Sequence, residues 1–124
     1  MKPMYLRWLL LPSLLTVVLA CQGSHNRPLQ LLSGAGPTYP SVAKEQGIEG
    51  EVTVRYAVSV DGSVRNAAVI DAQPPGVFEE AALTAVRSWR YAAPIQNGQV
   101  SAVPEVVSVV RFRLNQTPDY LSDE

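Results

Sequence analysis

The sequence predicts a small two-layer α+β domain: helix, strand, strand, helix, strand, with a three-stranded antiparallel or mixed sheet carrying both helices on one face. Three observations carry that expectation. Glu51 to Val60 alternates strictly between apolar and other residues, Val77 to Tyr91 repeats apolar residues at helical steps, and Val106 to Leu114 alternates again.

The first helix is expected over Tyr39-Pro40-Ser41-Val42-Ala43-Lys44-Glu45-Gln46-Gly47. Pro40 suits its first position, where a missing N–H costs nothing, and Gly47 suits the left-handed stop. In the strand that follows, Val52, Val54, Tyr56, Val58 and Val60 face one way, and Glu51, Thr53, Arg55, Ala57 and Ser59 face the other, the pattern of a half-buried antiparallel strand. Asp61-Gly62 then signals a hairpin. A two-residue turn would pair Val60 with Ser63. A three-residue turn, Val60-Asp61-Gly62 with Gly62 left-handed, pairs Ser59 with Ser63. Only the second places Val64, Ala68 and Ile70 on the face of Val58, Val54 and Val52, so the hydrophobic pattern selects it.

Pro74-Pro75-Gly76 ends the second strand. In the helix expected over Val77 to Tyr91, Phe78, Ala82, Ala85 and Trp89 form the buried stripe, widened by Ala81 and Val86. Glu79 and Glu80 in its first turn and Arg87 and Arg90 in its last complement the helix dipole, which accounts for these charges without catalysis. Adjacent residues of a helix do not face each other, so the two glutamates make no acid–base pair. Asn97-Gly98 marks a further tight turn. In the last strand Val106, Ser108, Val110, Phe112 and Leu114 share one face, while Val107, Val109, Arg111 and Arg113 share the other. Pro104, which cannot donate to a ladder, fits an edge strand or a strand start. The helical crossover makes the second and third strands parallel and leaves the first between them, antiparallel to both. About 80 residues in two layers are small but enough to fold alone.

The N-terminus reads as an export address. Met1 to Arg7 carries Lys2 and Arg7 and no acid, and WLLLPSLLTVVLA from Trp8 to Ala20 is uncharged. That run is shorter than the ~20 residues a bilayer-spanning helix needs, and Pro12 interrupts it. Residues 1–20 are therefore expected to be a signal peptide. Val18-Leu19-Ala20-Cys21 resembles the lipobox of bacterial lipoproteins, which implies cleavage before Cys21 and acylation there; stable anchoring takes two or more chains. Gln22, by resemblance to the enterobacterial sorting rule, implies the outer membrane. Residues 21–36 are expected to be a lipidated tether, with one apolar cluster at Leu29, Leu31 and Leu32 that could form a strand or a docked segment. Residues 37–115 form the folded domain and 116–124 an acidic tail.

Composition removes several classes of function. Of 124 residues, 10 are basic and 11 acidic, and the loss of Lys2 and Arg7 with the signal takes the net charge from −1 to −3. A nucleic-acid interface finds no basic patch here. The single Cys21 and single His25 supply neither a structural metal site nor a disulfide framework, and His25 reads as a solvated tether residue. With no reactive Cys–His pair, phosphate loop or metal spacing, no catalytic residue, cofactor or metal is assigned, and an enzyme is not expected.

Five pieces in order resemble the C-terminal domain of TonB: Tyr39-Pro40, Gly47-Ile48-Glu49-Gly50-Glu51-Val52, Asp61-Gly62-Ser63-Val64, Ala85-Val86-Arg87-Ser88-Trp89-Arg90-Tyr91, and the closing Arg111-Phe112-Arg113-Leu114. The resemblance runs from about Gly36 to Asn115. It implies a periplasmic module that pairs its final strand with the TonB box, a short extended segment of outer-membrane transporters. Carried over by position, Val107, Ser108, Val109, Val110, Arg111, Phe112 and Arg113 supply the backbone ladder, and Thr38 and Tyr39 flank the end of the incoming peptide. Thr38 stands where the best-known members have Gln. Arg111 and Arg113 also have a simpler role, keeping an edge strand soluble. A working TonB has an uncleaved membrane helix with Ser and His, then a long Pro-rich spacer; the 18 steps from Cys21 to Tyr39 reach at most ~60–65 Å fully stretched. The expected protein is thus lipid-anchored at the periplasmic face of the envelope and binds an outer-membrane receptor or another envelope protein by strand addition. The alternatives are a TonB-type energy transducer and a structural module that forms homodimers through edge strands.

Overall fold

The structure, a computed structural model, describes residues 26–115. The expectations for the signal, Cys21, His25 and the tail 116–124 lie outside the described residues.

The central strand is the first of the two hairpin strands. In order along the chain, the elements up to the hairpin are β1 (Gln30–Ser33), α1 (Ser41–Glu45), β2 (Gly50–Val58) and β3 (Val64–Gln73). They are followed by α2 (Glu79–Ser88), β4 (Arg90–Ala92), β5 (Ile95–Gln96), β6 (Gln99–Val100) and β7 (Val103–Phe112). The main sheet has the order β3-β2-β7, with β2 antiparallel to both neighbours, the topology expected from the crossover. Val52, Val54, Tyr56 and Val58 of β2 are all at most 2% exposed and meet Phe78, Ala82, Val86 and Trp89 of the second helical region in one core. Full burial of side chains this size contributes about 1.5–3 kcal/mol each, so this face holds the two layers together.

The first helix is short, five residues, and Pro40 stands one position earlier than expected. It is the N-cap, with φ −59° and ψ 129°, and its carbonyl accepts the Lys44 N–H at 2.9 Å. A single turn of this length has little stability of its own. Ala43, buried in the core, fastens it, and Gly47 at φ 67° reverses the chain into β2.

The hairpin has the three-residue turn selected by the hydrophobic pattern. Ser59 N–H donates to Ser63 O at 3.0 Å, Gly62 N–H donates to Ser59 O at 2.9 Å, and Gly62 has φ 83°. A Cβ there would lie 1.8 Å from the Tyr91 carbonyl oxygen, so only glycine fits. Asp61 Oδ1 collects the Ser59 hydroxyl, the Ser63 hydroxyl at 2.6 Å and the Ser63 N–H at 3.0 Å. These donors hold its carboxyl well below the usual carboxylate range.

Beyond the turn the expected faces need correction. β2 ends at Val58, so Val60 belongs to the turn and is 60% exposed. In β3, Asn66 has φ 55° and interrupts the register between Ala57↔Arg65 and Arg55↔Ala68; a second interruption separates Val54↔Val69 from Thr53↔Asp71. Each bulge inserts a residue and shifts the face. Val64, Ala67, Val69 and Ala72 therefore pack on the core, while Ala68 and Ile70 face outward.

The second helix is shorter than the expected Val77 to Tyr91. Its stripe is buried as expected, Phe78, Ala82, Ala85 and Trp89 all at 3% or less, but Trp89 turns extended at ψ 145°. The cause is tertiary: Arg90–Ala92 pairs antiparallel with β1, matching Gln30 with Ala92 and Leu31 with Tyr91. Leu29 and Leu31 pack on the core, whereas Leu32 faces away. Asn97 (φ 52°) and Gly98 (φ 79°) form the tip of the β5–β6 hairpin, as the dipeptide predicted.

Candidate functional site

β7 is longer at its start and shorter at its end than the expected Val106 to Leu114. It pairs with β2 from Val58↔Val103 to Gly50↔Phe112, with one interruption between Tyr56 and Val58, where Pro104 and Glu105 fall. Among the described residues β7 has a hydrogen-bonded strand neighbour on one side only.

Which groups face the open side follows from the turn. Ser59 bonds toward β3, and in an antiparallel ladder alternate residues bond to the same neighbour. Odd-numbered residues of β2 therefore bond to β3, and even-numbered ones bond to β7. Across the second ladder, Gly50↔Phe112, Val52↔Val110, Val54↔Ser108 and Tyr56↔Val106 are the bonded pairs. The N–H and C=O of Val107 and Val109 then point to the open edge. Pro104 brings no N–H, so the usable ladder starts after it.

The seven strand residues assigned by resemblance divide into two sets. Val110 and Phe112 are 1% exposed; Phe112 stacks on Phe78 at 4.3 Å and 18°. Ser108 meets the Tyr56 hydroxyl at 2.8 Å, and Tyr56 meets the Tyr91 hydroxyl at 2.5 Å. Burial, then the bond to Tyr56, pushes the Tyr91 phenol up. These three side chains hold the inner face. Val107, Val109 and Arg111 lie on the helix-free face, Val107 half exposed. Arg111 Nε stands 3.8 Å from Glu51 Oε2. Just past the strand, Arg113 Nη1 donates to Gly50 O at 3.5 Å, and Leu114 N–H donates to Glu49 Oε1 at 2.9 Å. Leu114, expected on the inner face, lies outside β7 and is exposed.

The neighbours Tyr39 and Thr38 have different surroundings. Tyr39 is held in the aromatic cluster, edge-on to Phe78 (5.6 Å) and Phe112 (5.7 Å), and its hydroxyl donates to Ile48 O. Burial first, then Glu49, raises its phenol. Thr38 lines a groove of about 450 Å³ with Gly36, Pro40, Val77, Ala81 and Thr84, on the helix side of the sheet. Tyr39 thus reaches β7 through its inner face, and Thr38 lines the groove beside α2. Sequence reasoning missed the asymmetry of the two sheet edges. Its one available signal was Asn66, a residue type that tolerates the left-handed region.

Among the described residues no group of three His, Cys, Asp or Glu side chains is placed to hold a metal, and no helix is long and apolar enough to cross a membrane.

Comparison with known proteins gives one consistent answer. The family described as Gram-negative bacterial TonB protein C-terminal matches residues 35–114. Protein TonB of Escherichia coli K12 is 42% identical over 88 residues, covering 71% of this chain and 34% of that protein. Protein TonB of Klebsiella pneumoniae is 38% identical over 84 residues, covering 68% and 32%. The match thus spans about a third of the length of these relatives. Among solved structures, a Pseudomonas aeruginosa TonB C-terminal domain determined by solution NMR superposes with a TM-score of 0.61 at 24% identity, over 76% of this chain and 99% of that one, a likeness of fold. The TonB2 protein of Vibrio anguillarum superposes with a TM-score of 0.56 at 30% identity, over 74% and 87%.

Proposed function

The chain belongs to the TonB C-terminal family, and from that membership we propose that it is a cell-envelope protein that captures an extended peptide of an outer-membrane TonB-dependent receptor by strand addition on β7. It is a binding module and not an enzyme. Kinship to TonB supports a part in TonB-like energy transduction. Lipid anchoring through Cys21, at the periplasmic face of the outer membrane, is the finer form of the proposal.

The observation that carries the reading is that, among the described residues, β7 is hydrogen-bonded to a strand on one side only. Val107 and Val109 aim backbone donors and acceptors outward from a straight ladder whose other side is fixed by β2. An incoming strand gains main-chain hydrogen bonds there without displacing any part of the described fold. Each such bond is worth a net ~0.5–1.5 kcal/mol, so a few of them give weak, reversible capture.

Hydrogen exchange of the full chain, with and without a synthetic TonB-box peptide, tests this. Added protection at the amides of Val107 and Val109 is the expected result. Protection confined to the groove beside Thr38, or absent altogether, would refute strand addition. Labelling with a radioactive fatty acid, with and without a block of lipoprotein signal peptidase, tests the anchor separately: an unlabelled, uncleaved chain rules it out.

A further inference from the structure

We propose that the hydroxyls of Tyr91, Tyr56 and Ser108 couple the docking of β1 on β4 to the capture of peptide on β7, so that a docked β1 strengthens the capture. This rests on the strand-addition reading and adds to it a control by the segment through which the chain enters the fold.

The contacts run from backbone to side chain and back. Tyr91 N–H donates to Gly62 O at 2.8 Å, away from β1. Alternation along β4 then makes Gln30↔Ala92 a bonded pair with β1 and Leu31↔Tyr91 a non-bonded one. Opposed side chains come closest in non-bonded pairs, and Leu31 and Tyr91 both pack on the core. The residues just after β1 cover the neighbouring indole. Trp89 Nε1–H donates to Ala35 O at 3.3 Å, and a Cβ on Gly34 would stand 2.2 Å from Trp89 Cδ1. Trp89 and Tyr91 in turn flank the ring of Tyr56, at 6.2 and 6.1 Å between centroids. The Tyr56 hydroxyl lies 2.5 Å from that of Tyr91 and 2.8 Å from Ser108 Oγ.

Ser108 stands between Val107 and Val109, the two residues that offer backbone groups to a peptide. Its main chain bonds to Val54 and its side chain to Tyr56, so whatever fixes its tilt fixes the aim of both neighbours. At the other end of the chain of hydroxyls, β1 is four residues long, and only Leu31 among them is not exposed. Short exposed segments open locally, at lower cost than global unfolding. When β1 lifts, water reaches Trp89 and Tyr91 and competes for the Tyr91 hydroxyl, so the network loses its shelter. The ladder between β7 and β2 does not pass through these hydroxyls, so the edge stays in place and capture weakens without vanishing. Linkage makes the effect mutual: the factor that a docked β1 adds to peptide affinity, bound peptide adds to the docking of β1.

A labelled synthetic TonB-box peptide, titrated by fluorescence anisotropy against variants of the full chain, tests the proposal. Gly34→Ala drives a methyl group into Trp89, and Leu31→Ala loosens the same segment without a clash. One net hydrogen bond is worth about fivefold in an equilibrium, so each variant should lower peptide affinity by about that factor. Tyr56→Phe keeps the ring, removes the linking hydroxyl and should lower affinity to the same extent. Added to Tyr56→Phe, Leu31→Ala should then change affinity by less than about twofold, because the link is already cut. Hydrogen exchange reads the reverse direction. Saturating peptide should slow the amides of Gln30 and Ala92 about fivefold in the parent chain and leave them unchanged in Tyr56→Phe. A purely structural role for the tyrosine would lower the melting temperature without making these amides sense the peptide. Additive losses in the paired variant, or Gln30 and Ala92 amides indifferent to peptide in the parent chain, would overturn the coupling. Strand addition would still stand, on the protection of Val107 and Val109. Failure of the parent chain to bind the peptide would overturn both.

Discussion

The sheet has two edge strands, β3 and β7, each bonded to the same partner β2, yet they offer different surfaces to a foreign chain. β3 loses register twice in ten residues, holds Asn66 in the left-handed region, and is tied at its start to β4 through Ser63↔Arg90 and the Tyr91 N–H to Gly62 O bond. β7 loses register once, beside Pro104, and then matches β2 residue by residue from Val106 to Phe112. Bulges twist an edge and misalign its free groups, one of the ways proteins protect edges from unwanted pairing. Within one sheet, then, one edge is blunted and the other is straight. Availability for strand addition is set by regularity of the ladder as much as by exposure.

The contrast can be broken most forcefully from inside. Phe112→Ala removes the ring stacked on Phe78 and met by Tyr39, and should cost about 3–5 kcal/mol in chemical denaturation. Val107→Ala, on the same strand but facing outward, should stay within about 0.5 kcal/mol. Next comes Val109→Pro. The lost N–H faces the open side, so folding should survive while affinity for a TonB-box peptide falls at least tenfold, about 1.4 kcal/mol, in a fluorescence-anisotropy titration. If Val109→Pro bound peptide normally, capture would have to occur elsewhere, β3 included.

Straightening the blunted edge should be resisted. Asn66→Val puts a β-branched residue at φ 55° and should destabilise by about 1–3 kcal/mol, whereas Asn66→Gly should be close to neutral. Equal stability of the two would mean that the bulge relaxes without strain. The smallest effect is in pH. Asp61 at the start of the β3 edge and Glu79, whose Oε1 accepts the Gly76 N–H at 2.6 Å, both have carboxyls held below their ordinary range by donated hydrogen bonds. A carboxyl lowered in the folded state stabilises above its unfolded pKa of about 4, and that contribution is lost as pH falls through the lower folded value. Melting temperature should thus be flat above about pH 5 and drop below about pH 4, with a shallower drop in Asp61→Asn. An identical acid limb in Asp61→Asn would show that its hydrogen bonds are also present in the unfolded chain.

Local pattern made β2, its turn and the buried stripe of α2 legible, because alternation and a left-handed Gly62 are properties of neighbouring residues. What it could not supply were choices made by distant partners. Trp89 to Tyr91 continues a helical pattern, and the helix stops because β1, more than fifty residues earlier, claims Arg90–Ala92 as a strand. Ala67 and Ala68 are the same residue type, so nothing in the pattern told which one faces the core; Asn66 decided it by its backbone. The candidate site was legible in part. Its strand and facing residues follow from alternation and family likeness, but the freedom of its outer side depends on where every other segment goes.

The way the chain enters the fold has a mechanical consequence. Arg27 exchanges backbone bonds with Ile95 (3.0 and 2.8 Å) and holds Ala93 O through its guanidinium at 2.7 Å; β1 then runs along β4. Tension on residue 26 reaches these few bonds first. In an optical trap, a pull from that side should show a small early step before the main rupture, and a single rupture would exclude a weak leading joint. Such a joint behaves as a fuse: it yields and pays out slack, while β7, clasped by β2, keeps its grip.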